Sequence, residues 1–273
     1  MRAIQRLTVA AIALTVAFAA TPAEAALPGH QLVSTVSVSD SATTKSATAT
    51  CPAGKQVVGA GAYIDGVEGQ VILDDLIPTA TTVRATGYEI QGGTTANWWI
   101  RAFAVCASPL PGYEIVTTAG ASSSANKTAT AACPAGKQVI GSGAAVTGGL
   151  GQVVMGTMQP SSTGTTVIGY EDADGTAATW YLTAYAICAT APAGTEIVTS
   201  TTLSDSLNKS ASPTCPAGKL PLGQGWAITT TEPGRVVSDI AMPTANGAMA
   251  VARESGAVGT SWSLSARVVC ATQ

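Results

Sequence analysis

The feature that most constrains this chain is a repeat. Cysteines fall at Cys51, Cys133 and Cys215 and again at Cys106, Cys188 and Cys270, and each series advances by 82 residues at every step. The string Cys-Pro-Ala-Gly-Lys opens at each of the first three, Trp98, Trp180 and Trp262 keep the same period, and all six lysines occupy two repeat positions: Lys45, Lys127 and Lys209, then Lys55, Lys137 and Lys219. Self-similarity at one fixed period is the mark of a tandem repeat. The sequence therefore divides into residues 26–111, 112–193 and 194–273, with seams at Ser108-Pro109-Leu110-Pro111-Gly112 and Ala191-Pro192-Ala193-Gly194.

Residues 1–25 read as a signal peptide: Arg2 and Arg6, an apolar stretch from Leu7 to about Ala20, and the small-x-small triplet Ala23-Glu24-Ala25. No later segment is apolar for the roughly 20 residues a membrane helix needs, so an extracellular chain without a membrane span is expected. Without Arg2, Arg6 and Glu24, the 13 basic and 16 acidic residues leave a net charge of about −4, which disfavours nucleic acid as a partner.

Thr, Ser, Ala, Gly and Val dominate, a mixture suited to short strands and polar turns. Six strands are expected in the first copy, near 31–39, 43–50, 55–64, 69–76, 82–90 and 97–106. This predicts an all-β chain of three disulfide-closed, sandwich-like modules; the alternative is a pseudo-threefold prism with one sheet per repeat. In the last strand, Trp98, Ile100, Ala102, Ala104 and Cys106 share one face and should be core, as should their counterparts around Trp180 and Trp262. The third copy diverges: Pro221 replaces a valine and Pro243 is displaced by one residue relative to Pro78 and Pro160, a slip that a loop or bulge must absorb.

Six cysteines permit fifteen pairings, but the repeat singles out Cys51 with Cys106, Cys133 with Cys188, and Cys215 with Cys270. The Gly-x-Gly pairs, Gly59 and Gly61, Gly141 and Gly143, Gly223 and Gly225, are read as room for the neighbouring tryptophan ring.

The single histidine, His30, lies outside the repeated core, which argues against His-based nucleophilic catalysis and His metal ligation. No dinucleotide or phosphate-loop fingerprint occurs, so no cofactor is expected. Asp74 and Asp75 are adjacent and, in a regular strand, face opposite ways. The acids of Glu171-Asp172-Ala173-Asp174-Gly175 read as turn formers. Asn126 and Asn208 stand in formal glycan acceptor triplets that Thr44 interrupts in the first copy.

The variable stripe of the last strand carries the candidate binding residues: Trp99, Arg101 and Phe103 in the first copy, Tyr181 and Tyr185 in the second, and Arg267 in the third. Aromatic rings four residues apart along a strand, about 13 Å, suit stacking against sugar rings or an apolar partner.

The Cys-Pro-Ala-Gly-Lys turn, followed by Trp-x-(Ile/Leu)-x-Ala-x-x-x-Cys, resembles a disulfide-closed β module of secreted and surface-exposed bacterial proteins. That resemblance implies an extracellular, non-catalytic recognition or assembly domain. Triplication with a Cys-Pro-x-Gly turn is more faintly similar to three-sheet prism proteins such as the vitelline membrane outer layer family. The leading functional expectation is a non-catalytic module binding polysaccharide or a cell envelope through several sites. The alternatives are an adaptor for other secreted proteins and an inhibitor of an exported enzyme.

Overall fold

The computed structural model describes residues 27–273; the expected signal peptide lies outside the described residues. Each repeat contributes six strands. The first has β1 (Gln31–Val36), β2 (Thr44–Thr50), β3 (Gln56–Asp65), β4 (Val71–Pro78), β5 (Thr82–Glu89) and β6 (Trp99–Ala107). The second has β7 (Glu114–Ala119), β8 (Lys127–Ala132), β9 (Gln138–Thr147), β10 (Val153–Pro160), β11 (Gly164–Glu171) and β12 (Tyr181–Ala189). The third has β13 (Glu196–Thr201), β14 (Lys209–Ala211), β15 (Lys219–Thr229), β16 (Val236–Pro243), β17 (Ala248–Glu254) and β18 (Ser263–Thr272).

The strands form three antiparallel six-stranded sheets, but no repeat closes a sandwich of its own. Sheet one runs β1-β6-β3-β16-β17-β14, sheet two β2-β5-β4-β9-β12-β7, and sheet three β13-β18-β15-β10-β11-β8. Strands 1, 6 and 3 of one repeat thus join strands 4, 5 and 2 of another, in cyclic order. The chain is a pseudo-threefold prism in which every sheet is shared between two repeats, rather than a string of self-contained modules or a prism with one sheet per repeat. The shared seams are short: Asp75 and Leu76 pair with Ala145 and Ala144, Thr157 and Met158 with Ala227 and Trp226, and Ile240 and Ala241 with Tyr63 and Ala62.

The interior is one continuous apolar core drawn from all three repeats. The alternating stripe of the last strand faces it as expected: Trp98, Ile100, Ala102, Ala104 and Cys106 are fully buried, as are Trp180, Leu182, Ala184 and Ala186. Each indole N–H donates to a glutamate of the preceding strand, Trp98 to Glu89 at 3.1 Å, Trp180 to Glu171 at 3.0 Å and Trp262 to Glu254 at 3.0 Å. The ammonium groups of Lys45, Lys127 and Lys209 lie over the same rings, at 4.8, 3.7 and 4.5 Å from the centroids. This repeated lysine position is thereby explained: the cation meets the ring's negative face, and Lys45 and Lys209 also pair with Asp40 and Asp205. The second lysine position ties the turn to the first strand of its own repeat, Lys55 to Gln31, Lys137 to Glu114 and Lys219 to Glu196.

The Gly-x-Gly pairs do a different job from the one expected. A methyl on Gly59 would overlap the carbonyl oxygen of Leu222 and come within 2.7 Å of its carbon; Gly223 meets the backbone of Ile140 and Gly141, and Gly141 meets that of Val58 and Gly59. The first glycines therefore let β3, β9 and β15 touch backbone to backbone around the pseudo-threefold axis. The second glycines, Gly61, Gly143 and Gly225, leave space for Pro243, Pro78 and Pro160 of the adjoining repeat at the seams. Room for the tryptophan comes instead from Gly87 and Gly169, where an added methyl would come within 3.0 and 3.1 Å of the rings of Trp98 and Trp180.

All three disulfides pair as the repeat indicates, Cys51–Cys106, Cys133–Cys188 and Cys215–Cys270, each across 55 residues. Each joins the segment leaving strand 2, in one sheet, to strand 6, in the next. The one-residue slip of the third copy is absorbed in loops: residues 230–235 between β15 and β16 hold one residue more than 66–70 or 148–152, and the spacing from Glu254 to Trp262 is 8 rather than 9. His30 has a closing role, its Nε2 donating to the Pro221 carbonyl of the third repeat at 2.7 Å, while Tyr113 makes the matching bond to Val57 at 2.8 Å. Leu27 N–H also donates to the Thr272 carbonyl, linking the two ends of the described chain.

Candidate functional site

Because one repeat feeds two sheets, the six candidate binding residues are distributed over three separate outer faces. Trp99, Arg101 and Phe103 lie on sheet one, Tyr181 and Tyr185 on sheet two, and Arg267 on sheet three. They do not form a single site. On sheet one, Trp99 packs edge-on against Tyr63 at 5.2 Å, the Arg101 guanidinium lies 5.5 Å from the Trp99 ring, and Phe103 is buried within the face. On sheet three, Arg267 donates to the Pro160 carbonyl at 2.9 Å, so its charge is spent on the seam between the second and third repeats.

The richest chemistry is on sheet two, and strand alternation alone gives the wrong picture of it. The register of β4 against β5 shifts between Leu73 and Asp75, a β-bulge with Asp74 as the extra residue. Leu73 and Leu76 both remain in the core, so Asp74 and Asp75 fall on the outer side together instead of facing opposite ways. Asp75 pairs with Arg84 at 3.1 Å. Burial raises the pKa of Asp75, with Arg84 and the Thr86 hydroxyl opposing the shift. Asp74 is pushed up to about 8, by burial first and by the Asp75 charge second. Two carboxyl groups thus stand side by side, Asp74 held well above the usual carboxylate range and Asp75 paired with Arg84.

Strand β9 separates this pair from β12, and its outward residues there are Gly143 and Ala145. The Pro78 ring lies against Gly143 and Ala145 is only 5% exposed, and across them the acids on β4 and Tyr185 on β12 stand two strand spacings apart, about 10 Å. The Tyr185 hydroxyl is raised in pKa by burial and then by the Asp75 charge, with Tyr181 contributing further. Asp74, Asp75, Arg84, Tyr181 and Tyr185 therefore form one neighbourhood assembled from two repeats. The equivalent positions on sheet three hold Gly156, Thr157, Thr166, Ser263 and Arg267, so the arrangement is not repeated there.

A concavity of about 150 Å³ lies where loops of all three repeats meet, lined among others by Ile90, Gln91, Asp172, Asp174 and Arg235. Asp172 is occupied there as a turn former, accepting the amides of Asp174 and Gly175 at 3.2 and 3.1 Å. The glutamate before it does more than form a turn, since Glu171 holds Trp180 and also accepts the Thr176 amide. Asn126 and Asn208 accept the backbone amides of Glu171 and Glu254 at 2.8 and 3.3 Å, which gives both asparagines a structural role.

The sequence names Tyr181 and Tyr185 as candidates but does not reveal Asp74, Asp75 and Arg84 as their neighbours. A bulge leaves no periodic signal, and the pairing of β4 with β9 joins positions in different repeats. No protein-family model matches the chain, and no curated protein sequence matches it significantly.

Proposed function

We propose that this is a secreted, non-catalytic recognition protein that binds polysaccharide on the outer face of sheet two. The observation that carries the reading is the bulge, which sets Asp74 and Asp75 beside Arg84 and across β9 from Tyr181 and Tyr185. Tyrosine rings offer flat apolar surface to the C–H face of a sugar. The carboxyl groups and the guanidinium supply fixed acceptors and donors for its hydroxyls, the combination of apolar wall and few placed polar groups typical of ligand sites. Three disulfides suit an oxidising, extracellular setting, and among the described residues no helix is long and apolar enough to cross a membrane. Repetition here supplies a scaffold rather than three equal sites, because the outer faces differ in chemistry.

The test is retention of oxidised protein on insoluble polysaccharides and purified cell walls. Wild type and Trp99→Ala should be retained, whereas Tyr181→Ala/Tyr185→Ala should pass through while keeping its thermal unfolding. No retention of wild type on any of these materials would sink the proposal. Release of reducing sugar that disappears in Asp74→Asn would replace the non-catalytic reading with a hydrolytic one.

A further inference from the structure

The pseudo-threefold symmetry provides an internal comparison, since each outer face presents the same backbone positions. On sheet one, β16 and β17 place Ile240 opposite Val251 and Met242 opposite Met249. The matching pairs are Asp75 with Thr86 and Ile77 with Arg84 on sheet two, and Thr157 with Ile168 and Gln159 with Thr166 on sheet three. Next to Ile240 across the seam stands Tyr63, where the other sheets have Ala145 and Ala227. Trp99 continues the patch. At its edge β1 adds Leu32 and Val36, 39% and 48% exposed.

None of Ile240, Met242, Met249 and Val251 belongs to the hydrophobic clusters of the interior. Ile240 is 8% exposed and Met242, Met249 and Val251 are half-buried, so this outer face carries aliphatic side chains where the other two carry Asp75, Arg84, Thr157, Gln159 and Thr166. A contiguous apolar stretch on an outer sheet face, half-buried at its centre and continued at its edge by the exposed Leu32 and Val36, fits an interaction site.

We infer that the outer face of sheet one is a self-association surface, seating the same face of a second copy of this chain. Two observations favour a second copy over another occupant. Six strands about 4.8 Å apart and some 20–25 Å long give a face of about 600 Å². Two such faces would bury about 1,200 Å², within the range of specific interfaces. The face also carries both signs of charge: Arg101 with an unpaired buried Nε, and Arg253 paired with Asp239 and with Glu68, whose side chain is 67% exposed. A twofold contact is isologous, so a surface must complement itself, and an apolar centre with mixed charges does so. The contact leaves sheet two uncovered and does not rest on the polysaccharide reading.

Sedimentation of the oxidised mature protein between about 1 and 200 µM tests this. The expected result is a concentration-dependent dimer. Met249→Arg and Val251→Thr, each installing the residue found at the equivalent position of sheet two, should weaken it at least tenfold. Because those residues already occupy this backbone site elsewhere in the prism, the variants should fold; matched thermal unfolding checks that. Thr166→Arg, the same change on sheet three, should leave the dimer intact. A protein that stays monomeric throughout the range, or a dimer unaffected by both sheet-one variants, overturns the inference, as does one dispersed equally by Thr166→Arg.

Discussion

Replacing Gly59 by alanine should destabilise the whole protein, because the new methyl enters backbone of another repeat. An ideal Cβ at Gly59 overlaps the Leu222 carbonyl oxygen and lies 2.7 Å from its carbon and 3.0 Å from the Gly223 Cα. Carbon atoms in contact sit about 3.5–4.0 Å apart, so one strand must retreat by roughly 1 Å. No side chain can turn aside to make room. Both strands are held by antiparallel ladders, β3 to β6 and β15 to β18, and a shift would open the axis where all three repeats meet. Overpacking of a core costs about 1–3 kcal/mol when side chains can adjust; with backbone alone in the way, we expect about 3 kcal/mol or more. At about 2–4 °C per kcal/mol for a protein of this size, thermal unfolding should fall by at least about 6 °C. Gly256, which has nothing within 4 Å and no left-handed backbone, supplies the control: Gly256→Ala should stay within about 0.5 kcal/mol of wild type. The assay is calorimetry or circular dichroism of oxidised protein, with Gly223→Ala as an independent repeat at the same axis. If Gly59→Ala and Gly223→Ala both melt within a degree of wild type, the repeats do not meet at the axis as described.

Two further outcomes follow from the structure. Asp74 has a folded pKa raised from 3.8 to about 8, so between those values the folded state keeps a proton that the unfolded chain releases; stability should decline as pH rises from about 4 to 8, and urea unfolding of Asp74→Asn should show a flatter profile. Each disulfide closes a 55-residue span and should contribute about 4 kcal/mol in a chain-entropy treatment, so verified reduction should lower thermal unfolding sharply; an unchanged transition would contradict this.

The sequence by itself determined the triplication, the six strands of each copy, the disulfide pairing and the inward stripe led by Trp98, because those are local or strictly periodic properties. Alternation along β6 is written in residues two apart, and the cysteine period singles out one pairing of equal 55-residue spacing within each copy. What periodicity specifies is which side of a strand is apolar, not which strand lies beside it. Consecutive strands usually neighbour each other, so a sequence reading naturally closes each repeat on itself. Only the tertiary structure decided that β3 turns a corner away from β4 and pairs with β16, since that choice rests on backbone contact between Gly59, Gly141 and Gly223, residues from three different repeats. The same holds for the candidate site. Tyr181 and Tyr185 were legible as outward aromatic residues, but a single extra residue at Asp74 and a two-residue seam between β4 and β9 brought the acids to them, and neither leaves a trace in the hydrophobic pattern.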